Sequence, residues 1–226
     1  MSYIVNNPDV ILQLLREHLV MTGSALVIAI LIALPLSLLL TRVPRLATAV
    51  MGVLGALYTI PSIALLILLL PIFGLNQRTV IVALVIYTQI ILVRNMVAGL
   101  KGVPTTMLDA ARGMGMNGWQ RWWQVQLPLA LPVILAGVRL ALVVAIAIAT
   151  IGAKFGAGGL GTLLFDGIAQ NRYDKLLAGA LTVAGLALAV NYLLLAVETY
   201  FTVENRIRRT ARRQAAYAVD ATAQAV

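Results

Sequence analysis

Few residues in this chain could carry chemistry on their own. Its 226 residues include 8 Asp+Glu, 1 His and 0 Cys. Without cysteine there is no disulfide, no thiolate ligand for zinc or an iron–sulfur cluster, and no thiol nucleophile. The single histidine, His18, stands beside Arg16 and Glu17 with no second ligand nearby, so a metal role is not expected. No G-x-x-x-x-G-K-[ST] run occurs, so a nucleotide-binding loop is not expected either. What remains are isolated polar groups within apolar sequence. Arg139 interrupts one apolar run and Glu198 lies near the end of another. A charge within such a run is costly and functional by default. Arg139 stands about two helical turns beyond Pro132, shallow enough to snorkel or to pair with Glu198. A structural role is the expectation for it. Tyr58, Tyr87 and Tyr192 each place a polar tip in an apolar run, which suits the lining of a polar path, although packing and interface roles compete for each.

The elements that must hold these residues are apolar and long. Hydrophobic residues make up 61% of the chain and charged residues 11%, with a mean hydropathy of +0.95. A soluble domain is about one quarter charged, so neither a water-soluble fold nor disorder fits. The net charge of +9 does not indicate nucleic acid, because the bases sit between apolar runs and do not cluster with interleaved aromatics. About 20 apolar residues cross a bilayer core as a helix. Five runs meet that length or approach it: 19–41, 46–77, 79–93, 127–153 and 176–197. The second is too long for one straight span and is predicted to end near Leu70, before Pro71 and the Gly74–Asn76 stretch; a sixth span would require splitting it. Pro35 and Pro61 are expected to kink their helices. Asn7 to His18 reads as a short amphipathic helix ahead of the first span. The fold class is therefore an all-α, polytopic transmembrane helix bundle of about five spans.

Five spans put the termini on opposite sides, and Lys and Arg decide which is inside. With the C-terminus cytoplasmic, the inner segments hold Arg42, Arg45, Arg94, Lys101, Arg112, Arg121 and the five arginines of the tail, Arg206 to Arg213. The outer segments hold Arg16, Arg78, Lys154, Arg172 and Lys175. The larger group marks the cytoplasm. This gives an external segment 1–18, a membrane domain 19–200 with a cytoplasmic loop 95–126, and a basic cytoplasmic tail 201–226 that serves as a topology anchor and could touch anionic lipid.

The cytoplasmic loop is the most patterned part of the chain. Lys101-Gly102-Val103-Pro104 makes a turn, Thr105 or Thr106 is placed to cap a helix, and Asp109 falls in its first turns, where a carboxylate favours the helix dipole. Ala110 and Ala111 leave a face that another surface can approach closely. Gly113, Gly115 and Gly118 end that helix. Trp119 to Gln126 begins another, which Leu127-Pro128 redirects into the membrane. The order Asp109-Ala110-Ala111, three residues, Gly115, nine residues, Val125, one residue, Leu127-Pro128 resembles the EAA loop of ABC importer permeases, with Asp for Glu and Val for Ile. The resemblance implies a coupling helix, including Trp119, that docks on separate ATP-binding-cassette subunits. It implies no cofactor on this chain, ATP and magnesium being used by the partner ATPase. It further implies a second permease chain, an external substrate-binding protein and a bacterial inner-membrane location.

Within that family the chain is most similar to permeases for osmoprotectants such as glycine betaine, choline and carnitine. The residues that carry this are Leu40-Thr41-Arg42, Ile60-Pro61-Ser62, Leu70-Pro71-Ile72-Phe73-Gly74, Leu92-Val93-Arg94-Asn95 and Gly113-Met114-Gly115-Met116-Asn117-Gly118-Trp119. Gly156-Ala157-Gly158-Gly159-Leu160-Gly161 is shared with methionine permeases, which are the alternative. A quaternary ammonium has no N–H to donate and is held by aromatic faces, so Tyr58, Tyr87 and Tyr192 are path candidates. Pro61 is one through its kink. Phe155, in a glycine-rich stretch suited to a broken helix, is a candidate plug of an outer gate, and Leu163 to Ile168 reads as a helix along the outer surface. An ion-coupled transporter would want intramembrane carboxylates, and a passive channel would not need a docking loop; both are disfavoured.

Overall fold

The computed structural model describes residues 2–201, so the basic tail beyond residue 201 and its arginines lie outside the described residues. The helices are α1 (Ser2–Asn6), α2 (Pro8–Arg42), α3 (Pro44–Thr59), α4 (Ser62–Phe73), α5 (Gln77–Lys101), α6 (Thr105–Gly113) and α7 (Gly118–Arg121). A π turn (Trp122–Gln126) leads into α8 (Leu127–Gly152), followed by a 3₁₀ turn (Ala153–Phe155), α9 (Gly161–Ala169) and α10 (Tyr173–Phe201). No strand occurs among the described residues. Four helical stretches are long and apolar enough to cross a membrane, and the bent pair α3–α4 makes a fifth span if counted as one.

The core is built around α5. Its buried side chains are large, among them Leu84, Leu92, Val93 and Met96. The flanking helices meet them with small residues at helical spacing. On α2 these are Ala25, Ala29, Ala33 and Ser37; on α8 they are Gly137, Ala141, Ala145 and Ala149. Lipid tails are as apolar as leucine, so packing at close approach holds such helices together, and small stripes permit it. The Gln89 amide of α5 adds a bond to the carbonyl of Ala29 at 3.1 Å. Arg139 of α8 donates to Glu198 at 3.1 Å and to Asn191 at 3.1 Å, both on α10, which confirms the pairing that the sequence allowed. This polar contact ties down α10, a span with few buried residues.

Several expectations are corrected. Residues 7–18 are no separate amphipathic helix: α2 runs unbroken from Pro8 through Pro35 to Arg42. His18, which belongs to this helix, is fully buried beside Gly159. The second apolar run is not one kinked helix: it breaks fully at Ile60–Pro61, and α4 then runs through Pro71 to Phe73, three residues beyond the expected end near Leu70. Proline pushes its predecessor out of the α region, and Ile60 is extended at ψ 126°. Pro71 lies so close to the end of α4 that only the last turn loses a bond. Leu127-Pro128 redirects nothing, because α7, the π turn and α8 form one continuous helical stretch. Pro128 follows the π turn directly, inside that stretch, so the residue that lacks an N–H falls where the regular hydrogen-bond register has just shifted.

Candidate coupling surface and translocation path

α6 forms because Pro104 fixes its entry, and it ends by a defined device. The N–H of Met116 bonds the carbonyl of Ala111 at 3.1 Å, and that of Gly115 bonds Arg112 at 2.9 Å. Gly115 has φ +78°. These are the two bonds and the left-handed residue of a Schellman ending, which side-chain-bearing residues resist. The glycine of the spaced motif is thus the residue at which the chain must reverse. The next helix starts on a capping box, Asn117 and Gln120 each bonding the other's backbone N–H at 2.9 Å. Neither Thr105 nor Thr106 caps α6; Pro104 holds the cap position without a side-chain bond.

Asp109 lies beyond the first turn of α6 and pairs with Arg112 at 3.1 Å, both side chains exposed. Ala110 is exposed, whereas Ala111 is turned inward and buried. The small-residue face expected at both positions is therefore divided: Ala110 lies on the surface and Ala111 seats the helix. Met107, Met114 and Trp119 are 54%, 70% and 70% exposed. α6, its C-cap and the start of α7 thus present two methionines and a tryptophan to solvent, an exposed apolar patch of the kind that suits a partner. Leu127 and Pro128 lie half-buried where the stretch enters the bundle, with Gln126 donating to the carbonyl of Leu100 at 3.5 Å.

Behind α6 lies a cleft of about 600 Å³, lined by Leu38 and Arg42 of α2, Leu108 and Arg112 of α6, and Arg121, Trp119, Trp122 and Trp123 of the following stretch. The tryptophans pack on one another, with ring centroids 4.7 to 6.2 Å apart. Sequence reasoning did not assemble this cleft, because its walls come from three separate parts of the chain.

The path candidates fall into two groups. Tyr58, Pro61 and Tyr87 come together at the break between α3 and α4, whose axes differ by 96°. The Tyr87 hydroxyl donates to the freed carbonyl of Ile60, and its ring meets Tyr58 edge-on at 5.9 Å. Tyr87 is buried, while Tyr58, Thr59 and Pro61 are exposed. Phe155 is half-buried against the same core cluster as Tyr87. Tyr192 stands apart on α10, 63% exposed. The glycine-rich segment after Phe155 is clasped to α2, where the N–H of Gly159 bonds the Glu17 carboxylate at 2.9 Å. No local pattern signals that contact. α9 spans Gly161–Ala169, close to the helix read from sequence.

The family described as "Binding-protein-dependent transport system inner membrane component" matches residues 21–205. The carnitine transport permease protein OpuCB of Listeria monocytogenes is 41% identical over 178 residues, covering 79% of this chain and 82% of that protein. The glycine betaine/carnitine/choline transport system permease protein OpuCB of Bacillus subtilis is 35% identical over 202 residues, 89% of this chain and 93% of that one. The osmoprotectant import permease protein OsmW of Salmonella typhimurium is 38% identical, covering 88% and 95%. Among solved structures, the inward-facing MetNI methionine ABC transporter superposes with TM-score 0.74 at 23% identity, over 85% of this chain and 96% of that one. An amino acid ABC transporter follows at TM-score 0.66 and 19% identity, covering 88% and 95%. At those identities the structural likeness speaks for the fold.

Proposed function

The chain belongs to the inner membrane components of binding-protein-dependent transport systems, and from that premise we propose that it admits a small quaternary ammonium osmolyte such as glycine betaine, choline or carnitine. Relatives named for those solutes align along most of the chain, which supports this substrate class over methionine. The chain acts as the permease subunit of an ABC importer. ATP and magnesium are bound and used by separate ATPase subunits, and an external binding protein delivers the solute. A second permease chain, identical or related, completes the path.

The observation that carries the coupling role is α6 itself. It projects Met107, Ala110 and Met114 outward, and it is seated from behind by Ala111 and Leu108. ATPase closure pushes on this helix, with Asp109 and Trp119 at the contact. The push reaches the spans because α7, the π turn and α8 are one helical stretch through Leu127 and Pro128. The spans then rock between inward- and outward-facing states, a two-state element biased by nucleotide.

The path runs past Tyr58 and Pro61. Backbone broken at membrane depth is tolerated only where it is buried in protein or lines a watery cavity. At Ile60–Pro61 one face is covered by Tyr87, and the open face is the one presented to the path. Phe155 packs against the core cluster that includes Tyr87, and Tyr192 is an exposed residue of α10.

The test is co-purification together with uptake. A tagged chain should bring down an ATP-binding-cassette subunit, and its vesicles should take up labelled choline or glycine betaine when ATP is enclosed. Absence of the ATPase would sink the coupling role. Competition by methionine but not by betaines would overturn the substrate class.

A further inference from the structure

We propose that the cleft behind α6 binds the phosphate headgroup of an anionic phospholipid. Its wall changes character over a single turn of α2. Leu38 is apolar and Arg42, four residues on and on the same face, is cationic where that span ends. Arg112 and Arg121, from two different elements, line the same cleft and add two further cationic side chains to it. Among the described residues the carboxylate paired with these three is Asp109, held by Arg112. The cleft thus sets three arginines beside an apolar wall at the end of a membrane span, the arrangement a lipid presents in reverse. Indole rings favour the headgroup level, and all 3 tryptophans of the chain line this cleft. At about 600 Å³ it has room for a headgroup and the first part of an acyl chain. The apolar wall selects a lipid over a free phosphate ion. A headgroup held here ties α6 and α7 to the plane of the membrane. The assignment requires only that α2 end at a membrane surface, not that the chain import a particular solute.

Because no tryptophan lies elsewhere, indole fluorescence reports on this cleft alone. The full chain is reconstituted in phosphatidylcholine vesicles with a rising fraction of brominated phosphatidylglycerol, matched against brominated phosphatidylcholine. Brominated phosphatidylglycerol should quench at the lower mole fraction. Arg42→Gln and Arg121→Gln should each weaken that preference about fivefold, the effect of one base near a charged surface, while Arg42→Lys and Arg121→Lys retain it. Equal quenching by the two lipids with the unaltered chain overturns the proposal, whatever the variants do. Relief of quenching by millimolar inorganic phosphate reassigns the cleft to a free ion and also overturns it. So does an indole response to an added ATPase subunit with no lipid preference, which makes the cleft part of the protein contact.

Discussion

Arg139 illustrates what a charge needs in order to remain inside an apolar bundle. Its guanidinium spends two donors on α10, on Glu198 and Asn191. Removing one member of such a pair leaves the other uncompensated, which costs about 3 kcal/mol, whereas removing both together costs far less. Arg139→Gln should therefore lower the unfolding midpoint in detergent more than Arg139→Gln with Glu198→Gln. A double variant as unstable as the single would show that the pair does not hold α10. Tyr58 gives a second expectation at this scale. The chain has 0 cysteines, so an introduced one is unique. Tyr58→Cys should react with a trimethylammonium methanethiosulfonate, and choline should slow the reaction. Tyr192→Cys, on the exposed face of α10, should react without protection by choline. If choline leaves modification of Tyr58→Cys unchanged while uptake persists, the path lies elsewhere but the function stands. At this scale the sequence was a partial guide. The charges of Arg139 and Glu198 stood out in apolar surroundings and could be paired. Asn191 could not be found, since an amide in a long apolar run carries no signal until a partner faces it. The inward turn of Ala111 was equally hidden, because alanine fits either face of a helix.

Among the elements, α6 and its glycine ending are the most exacting. Gly115 at φ +78° holds the reversal that lets α7 start in register. A β-branched residue there costs about 1–2 kcal/mol in the left-handed region, enough to unravel a nine-residue helix end but not the bundle. Gly115→Val should leave the chain folded and inserted while ATP hydrolysis continues without uptake. Full uptake by that variant, measured beside ATP turnover, would remove the coupling role from α6. The loop was legible because its information is local: a proline entry, three glycines and the spaced pattern from Asp109 to Pro128 fall within thirty residues. The full break at Pro61, where only a kink was expected, was illegible for the opposite reason. Pro61 and Pro71 look alike in sequence, and what separates them is tertiary. Tyr87 covers the carbonyl freed at Ile60, whereas Pro71 sits in the closing turn of α4. The π turn was similarly out of reach. A helix can absorb one extra residue through Trp122–Gln126 and carry on into α8, so a segment that reads as two helices and a corner is a single stretch.

At the scale of the whole molecule the bundle has two unlike ends. One gathers the end of α2, α6, α7 and the tryptophan cleft. The other joins the start of α2 to the glycine-rich segment, with Gly159 against His18 and Glu17 and Gly156 against Leu75. Bases at the second end are partly neutralised, Arg172 by Asp174 at 2.7 Å and Lys175 by Asp166 at 2.8 Å. At the first end the described ion pair is Arg112 with Asp109, and Arg42, Arg45, Lys101 and Arg121 add to the positive count. Unbalanced Lys and Arg stay on the cytoplasmic side during insertion, so the coupling end should face inward. Helix α5 offers the cleanest test, because Arg78 and Lys101 stand exposed at its opposite ends, about 35 Å apart at 1.5 Å per residue. In intact spheroplasts a membrane-impermeant maleimide should label Arg78→Cys directly and Lys101→Cys only after permeabilisation. The reverse pattern would turn the molecule over and leave α6 on the wrong side for an ATPase. Labelling of both sites without permeabilisation would mean that α5 does not span. The expected pattern puts the docking loop where ATP is made and the Glu17–Gly159 clasp where solute arrives, and one helix then measures the distance between them.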